Sequence, residues 1–191
     1  MSKYKIKFIC MLFMAFGTAC EPNYLPKPRG YIRITLPPHQ YKHYQSGCPF
    51  EFQYSAQAKV VPKPGVPEEK CWLNIIYPEL KATVHLSYKE VNDNLPVLIE
   101  ESRNLAYKHT IKANDIEEVL IKHPENKVYG IKYILKGDVA SYLQFYATDS
   151  TSRFIRGALY FNYQSDYDSL SPVIDYISQD TDTFLSTLRW K

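Results

Sequence analysis

The sequence predicts an α+β domain: one mainly antiparallel β-sheet with two α-helices packed on it, a single domain after a cleaved signal peptide. Three observations predict it. Across residues 128–163, three consecutive stretches alternate with period two, as strands do because successive side chains point to opposite faces of a sheet. Residues 94–108 and the stretch from Ser171 onward change to a helical period. The order is several strands, a helix, several strands, a helix, which is the pattern of helices segregated on an antiparallel sheet.

Residues 1–19 read as an export signal. Lys3, Lys5 and Lys7 form its positive start, residues 8–16 its apolar centre, and Gly17-Thr18-Ala19 its small-residue cleavage site. The apolar run is far shorter than the about 20 residues that a membrane-spanning helix needs. The whole chain carries 23 basic and 20 acidic residues, a net charge of +3. The signal holds three of the lysines and no acid, so 20 basic residues face 20 acidic ones in the rest. A neutral domain lacks the phosphate-neutralising charge of a nucleic-acid binder, so no nucleic acid is expected as partner.

Cysteines stand at positions 10, 20, 48 and 71. Cys10 leaves with the signal. Simple cleavage after Ala19 leaves an odd number for an oxidising compartment. Acylation of Cys20, as the first residue of a lipoprotein, leaves Cys48 and Cys71 as one disulfide pair, although Gly17 stands where the acylation signal usually has leucine. Closing that loop stabilises the fold by about 3 kcal/mol in the chain-entropy model. Residues 20–30 are Pro-rich, with Pro22, Pro26 and Pro28. As an extended tether they reach roughly 30 Å from a bilayer. Tyr24, Arg29 and Tyr31 also offer a docking strip there, beside the plainer reading of a spacer.

The domain proper is assigned to residues 31–191. Residues 31–36 read as a short strand stopped by Pro37-Pro38. Phe50, Phe52 and Tyr54 mark a second strand. Residues 60–70 hold Pro62, Pro64, Gly65 and Pro67 and read as a loop. Residues 71–77 and 81–88 read as a pair of strands around Pro78-Glu79. In residues 94–108, Leu95, Leu98, Ser102, Leu105 and Ala106 share one helical stripe, with Asn94 as cap and Pro96 in the first turn. Residues 116–121 read as a short strand. Tyr129, Ile131, Tyr133 and Leu135 then alternate with neighbours of greater polarity. Gly137-Asp138 suits a two-residue hairpin turn, and residues 149–152 supply the next turn. Tyr142, Gln144, Tyr146, Arg156 and Tyr160 lie on the face opposite Phe145 and Leu159, to be covered by a helix or offered to a partner. Ser171-Pro172 reads as N-cap and first residue of the last helix. Its stripe is Ile174, Ile177, Thr181, Phe184, Leu185 and Leu188.

Chemistry-bearing motifs are sparse. There is no glycine-rich phosphate loop, no nucleophile elbow and no zinc-protease helix motif. His39 and His43 have helical spacing but follow two prolines and lack a third ligand nearby, so no metal site and no cofactor are expected. His85 falls on the polar face of its strand, His109 at a helix end, and Asp149-Ser150 in a turn. As an enzyme the chain would need two of these in one cleft. As a glycan binder it would need an exposed row of Tyr and Trp. No catalytic residue is assigned.

Long ordered blocks carry a resemblance. They are Pro26-Lys27-Pro28-Arg29-Gly30-Tyr31, Cys48-Pro49, Cys71-Trp72 and His85-Leu86-Ser87-Tyr88-Lys89. They continue with Ser102-Arg103-Asn104-Leu105-Ala106-Tyr107-Lys108-His109, Thr148-Asp149-Ser150-Thr151, Arg156-Gly157-Ala158-Leu159-Tyr160-Phe161 and Arg189-Trp190-Lys191. In these the chain resembles the gliding motility lipoprotein GldD family of Bacteroidetes. The resemblance implies a membrane-anchored envelope lipoprotein needed for gliding and for the associated type IX protein secretion, with other proteins of that machinery as partners and no enzyme activity. The residues after Cys20 are not an acidic run, which favours a periplasm-facing domain. Interface energy concentrates in a few aromatic and Arg side chains, so Arg29, Tyr31, Arg156 and Trp190 are the candidate partner-binding residues. Asp149-Ser150-Thr151 and Asp168-Ser169-Leu170 resemble the O-glycan acceptor pattern of Bacteroidetes envelope proteins, which makes Ser150 and Ser169 candidate modification sites.

Overall fold

A computed structural model describes residues 35–63, 71–108, 113–163 and 167–191, all within the unit of residues 32–191. The signal, the tether, Cys20, Arg29, Tyr31 and His109 lie outside the described residues. The elements are β1 (Tyr41–Tyr44), β2 (Phe50–Ser55), β3 (Lys59–Pro62), β4 (Leu73–Tyr77), β5 (Ala82–Glu90), α1 (Leu95–Tyr107), β6 (Ala113–His123), β7 (Val128–Gly137), β8 (Leu143–Thr148), β9 (Arg153–Phe161), α2 (Tyr167–Thr187) and β10 (Arg189–Trp190). The fold is α+β, as the alternation predicts. A seven-stranded sheet runs β3-β4-β5-β9-β8-β7-β6, and a separate three-stranded sheet runs β1-β2-β10. Every pairing is antiparallel.

The large sheet is coated on both faces. On one, Ile75, Val84, Phe145 and Leu159 pack with Ile177, Phe184 and Leu185 of α2, and Phe50 and Phe52 of the small sheet join the same cluster. On the other, Tyr133, Tyr146 and Phe154 pack with Leu98 and Ala106 of α1. β8 lies between the helices, so all six of its residues are buried. Gly130 and Gly157 admit this packing. A Cβ on Gly130 would stand 1.9 Å from the Tyr146 carbonyl oxygen, and one on Gly157 would stand 2.2 Å from the Phe145 ring.

A disulfide joins Cys48, before β2, to Cys71, before β4, with Cα atoms 5.5 Å apart. It ties the small sheet to the large one. The last residues close the same end. Lys191 N–H donates to the Pro49 carbonyl, the Trp190 indole donates to the Lys127 carbonyl, and the Arg153 guanidinium donates to the Lys191 carbonyl.

Several local expectations are corrected. Thr35 and Leu36, the described part of the 31–36 stretch, are not in a strand, and the first strand is β1. Residues 60–62, expected within a loop, belong to β3 (Lys59–Pro62). It is a sheet edge, and Pro62 at its end is tolerated because an edge position needs no ladder N–H. β6 is 11 residues long, longer than the stretch 116–121. The β7–β8 connection is not a two-residue turn: Leu135 N–H donates to the Tyr142 carbonyl at 2.8 Å, and residues 136–141 close the loop. α2 begins at Tyr167, so Pro172 lies inside the helix rather than at its start. Leu105, assigned to the buried stripe of α1, is 38% exposed.

Candidate partner-binding surfaces beside helix α1

α1 is 13 residues long and sits over β8 and β9. A helix about 10–12 Å across covers only part of a sheet whose strands lie about 4.8 Å apart. The α1 face is therefore left with a strip on either side of the helix, over β6–β7 and over β4, β5 and the adjoining residues of β9.

The first strip is apolar. Leu95 and Ile99 of α1 face Leu120, Tyr129, Ile131 and Tyr146 across a groove of about 280 Å³. Leu120 is 73% exposed and Val97 is 57% exposed. Among the described residues β6 is the edge of the sheet, so one side of its backbone carries N–H and C=O groups that no described strand bonds. A long edge strand beside exposed apolar side chains is a ready template for strand addition.

The second strip is polar. Pairing of β5 with β9 places Thr83 opposite Tyr160, His85 opposite Ala158 and Ser87 opposite Arg156, while β4 adds Asn74 opposite His85. His85 bonds Asn74 at 2.7 Å, and its ring lies 5.6 Å from that of Tyr160. Burial and then the Lys63 charge pull the His85 pKa down. Lys63 lies 4.5 Å over the Trp72 ring, a cation–π contact.

With the surfaces described, the chain can be compared with known proteins. The sequence profile of the gliding motility lipoprotein GldD matches residues 21–190. The chain belongs to the GldD family. A family of lipoproteins of gliding motility implies anchoring to a membrane, association with the cell envelope and a part in the motility system. Among the described residues no helix is long and apolar enough to cross a membrane. No curated protein matches the chain. Among solved structures it is similar to cyanobacterial PsbP (CyanoP) from Synechocystis sp. PCC 6803, at 12% identity and a TM-score of 0.47, covering 84% of this chain and 98% of that one.

The candidate residues of this GldD-family chain do not converge on one place. Arg156 stands on the polar strip. Trp190 is half-buried in β10, its indole engaged by the Lys127 carbonyl. That gives it a role inside the fold and leaves only part of its surface to a partner. Ser150 is exposed, at φ 69° in the β8–β9 turn. Ser169 is half-buried in the first turn of α2. His85 and Asp149 are not brought together. Asp149 closes its own turn, its carboxylate accepting from the backbone N–H groups of Thr151, Ser152 and Arg153 and from the Arg153 guanidinium. Burial alone opposes its ionisation, but these bonds outweigh it and hold the carboxyl well below the usual carboxylate range.

Three features escape a sequence reading. Asp180 is buried on the α2 face, where it accepts from Tyr77 Oη at 3.1 Å and meets His39 Nδ1 at 2.7 Å. His39 stacks on Tyr176 with ring centroids 4.2 Å apart. An Asp–His pair of this kind supports a general base when a hydroxyl or thiol occupies the other ring nitrogen. Among the described residues none does, and the contact fastens the segment before β1 onto α2. Lys132, which alternation would send to solvent, is 4% exposed and reaches Ser178 and Asp182 of α2. Leu120 is an apolar residue facing water. The signals available were a Lys between strand residues and an Asp inside a helical stripe, and neither names its partner.

Proposed function

We propose that this protein is a lipid-anchored, periplasm-facing component of the gliding apparatus and of the type IX secretion system associated with it, and that it acts by binding and assembly. The single observation that carries this reading is the family match across residues 21–190. In this reading residues 1–19 are removed, Cys20 bears the lipid, and residues 20–30 tether a domain of residues 31–191. The exposed Leu120 and the free edge of β6 support it, because they suit an extended apolar segment of a partner protein adding as a further strand.

The test is complementation of a strain lacking the protein, scored by colony spreading and by export of motility adhesins, with protein levels checked by immunoblot. Cys20→Ser releases the domain from the membrane fraction and loses fatty-acid labelling, since one acyl-bearing site is the proposed anchor. Leu120→Asp places a charge in the groove and abolishes spreading and export at normal abundance. Asp149→Asn leaves both intact at normal abundance. An abundant but inactive Asp149→Asn protein beside a fully active Leu120→Asp protein would turn the reading from assembly to chemistry.

A further inference from the structure

Arg156 has lost water without gaining an anion among the described residues. It is half-buried mid-strand on β9, with Tyr146 opposite it on β8 and Ser87 opposite it on β5. None of the ion pairs among the described residues includes it. Its side-chain partner is an amide: the guanidinium donates to Gln144 Oε1 at 2.7 Å. Burial pulls the Arg156 pKa down, the direction expected of a cation desolvated without a compensating charge. The remaining guanidinium N–H donors have no protein acceptor among the described residues.

Gln144 strengthens the case. It is 2% exposed, and its Nε2 has no hydrogen-bond partner among the described residues. A buried amide with an orphaned donor is unfavourable in a strand otherwise buried as Leu, Phe, Tyr, Ala and Thr. What it does there is hold one edge of the guanidinium. A guanidinium is a planar fork, so fixing one edge sets the direction of the others.

The neighbours share the imbalance. Lys63 and His85 have no carboxylate within ion-pair distance among the described residues, whereas Lys89 of β5 has Glu101 of α1 at 3.8 Å. Lys63 and His85 lie close enough to interact, Tyr160 neighbours both His85 and Arg156, Trp72 lies under Lys63, and none of the three basic side chains has an acid partner among the described residues.

We propose that this strip binds a carboxylate, supplied by an acidic segment of a partner protein. Arg156 receives the carboxylate on the open edges of its fork, Gln144 fixes the fork from beneath, and Tyr160 and Trp72 give apolar surface on either side. The site has one oriented cation. Lys63 is a point charge on a flexible stem, and His85 is held toward its neutral form. That set matches a single carboxylate better than a phosphate dianion. The inference rests on the reading of the protein as a binding component and names the chemistry of what it binds.

The experiment is an NMR titration of the full mature chain, following the Arg156 Nε–H and Trp72 indole resonances. The probes are a capped Gly-Glu-Glu-Gly peptide, its Gly-Gln-Gln-Gly counterpart and inorganic phosphate. The acidic peptide moves both resonances with saturation. The Gln peptide and phosphate bind at least tenfold more weakly. Arg156→Lys weakens the acidic peptide about tenfold, because a point charge replaces a bidentate fork. Gln144→Leu, which leaves Arg156 in place but unoriented, weakens it less, and its unchanged remaining spectrum reports an intact fold. Equal response to both peptides, stronger binding of phosphate, or no response to any probe overturns the proposal. The titration is read without gliding, so its failure beside an inactive Leu120→Asp protein would leave the assembly reading standing.

Discussion

The two faces of the seven-stranded sheet are built to different ends. The α2 face is closed by a 21-residue helix and by the second sheet, which packs on that helix. The charged groups caught beneath are paired: Asp180 with Tyr77 and His39, Lys132 with Ser178 and Asp182. The α1 face has only a 13-residue helix over its middle. On either side lie the exposed Leu120 and the Arg156–Gln144 pair, whose amide donor and cation have no acceptor and no acid among the described residues. The closed face pairs the charges it buries, although the Ser55 and Tyr176 hydroxyls and Asn126 Oδ1 have no hydrogen-bond partner among the described residues; the open face leaves a half-buried cation with no acid among those residues. On the proposed reading, stability is concentrated on the first and binding on the second.

The largest expected effect comes from truncating the closed face. Phe145→Ala removes a ring that is 2% exposed and should cost about 3–5 kcal/mol of stability. Leu120→Ala, an apolar truncation on the open face, should cost less than about 0.5 kcal/mol. Urea denaturation of both variants measures the contrast, and similar losses would erase the distinction between the faces.

The disulfide comes next. Cys48→Ser and Cys71→Ser should each cost about 3 kcal/mol, and the double variant should be no worse than either, because both remove the same link. Hydrogen exchange should rise in β2 and α2, on the closed side, while α1 keeps its protection. Additive losses, or fraying that starts in α1, would show that the bond does not staple the closed face.

The smallest effect is in the turn that Arg153 links to the C-terminal strand. The Asp149 carboxyl has its folded-state pKa depressed, so its stabilising contribution is fully present above about pH 4, the ordinary carboxylate value, and is lost as pH falls toward the folded-state value. Asp149→Asn should therefore be less stable than the parent at pH 7, by about 1–3 kcal/mol for bonds to a charged group. The gap should narrow at pH 3. Urea midpoints at the two pH values test the sign, and a gap that is unchanged or wider in acid contradicts it.

Much of the candidate surface was half-legible. Arg156 could be chosen as an interface residue because Tyr142, Gln144, Tyr146 and Tyr160 share its alternation. That no acid among the described residues pairs with it could not be foreseen, because that depends on which strands lie beside β9. Residue type alone points to Trp190, and the pairing of β10 with β2 uses it within the fold. Leu120 gives no such signal, because a Leu in an alternating strand is ordinarily core.

The sequence by itself determined which segments are strands and helices through the middle and end of the chain. Period two and period 3.6 are local patterns, and residues a few positions apart are enough to express them. It also determined the family and the cysteine pair. Only the tertiary structure decided that β9 returns across α1, β6, β7 and β8 to pair with β5. It likewise decided that Tyr133 shares a face with Tyr146 and not with Phe145. Alternation says that neighbouring side chains part company, but in a strand buried on both sides both sets are apolar. Which set meets which helix is then settled by packing between segments far apart in the chain.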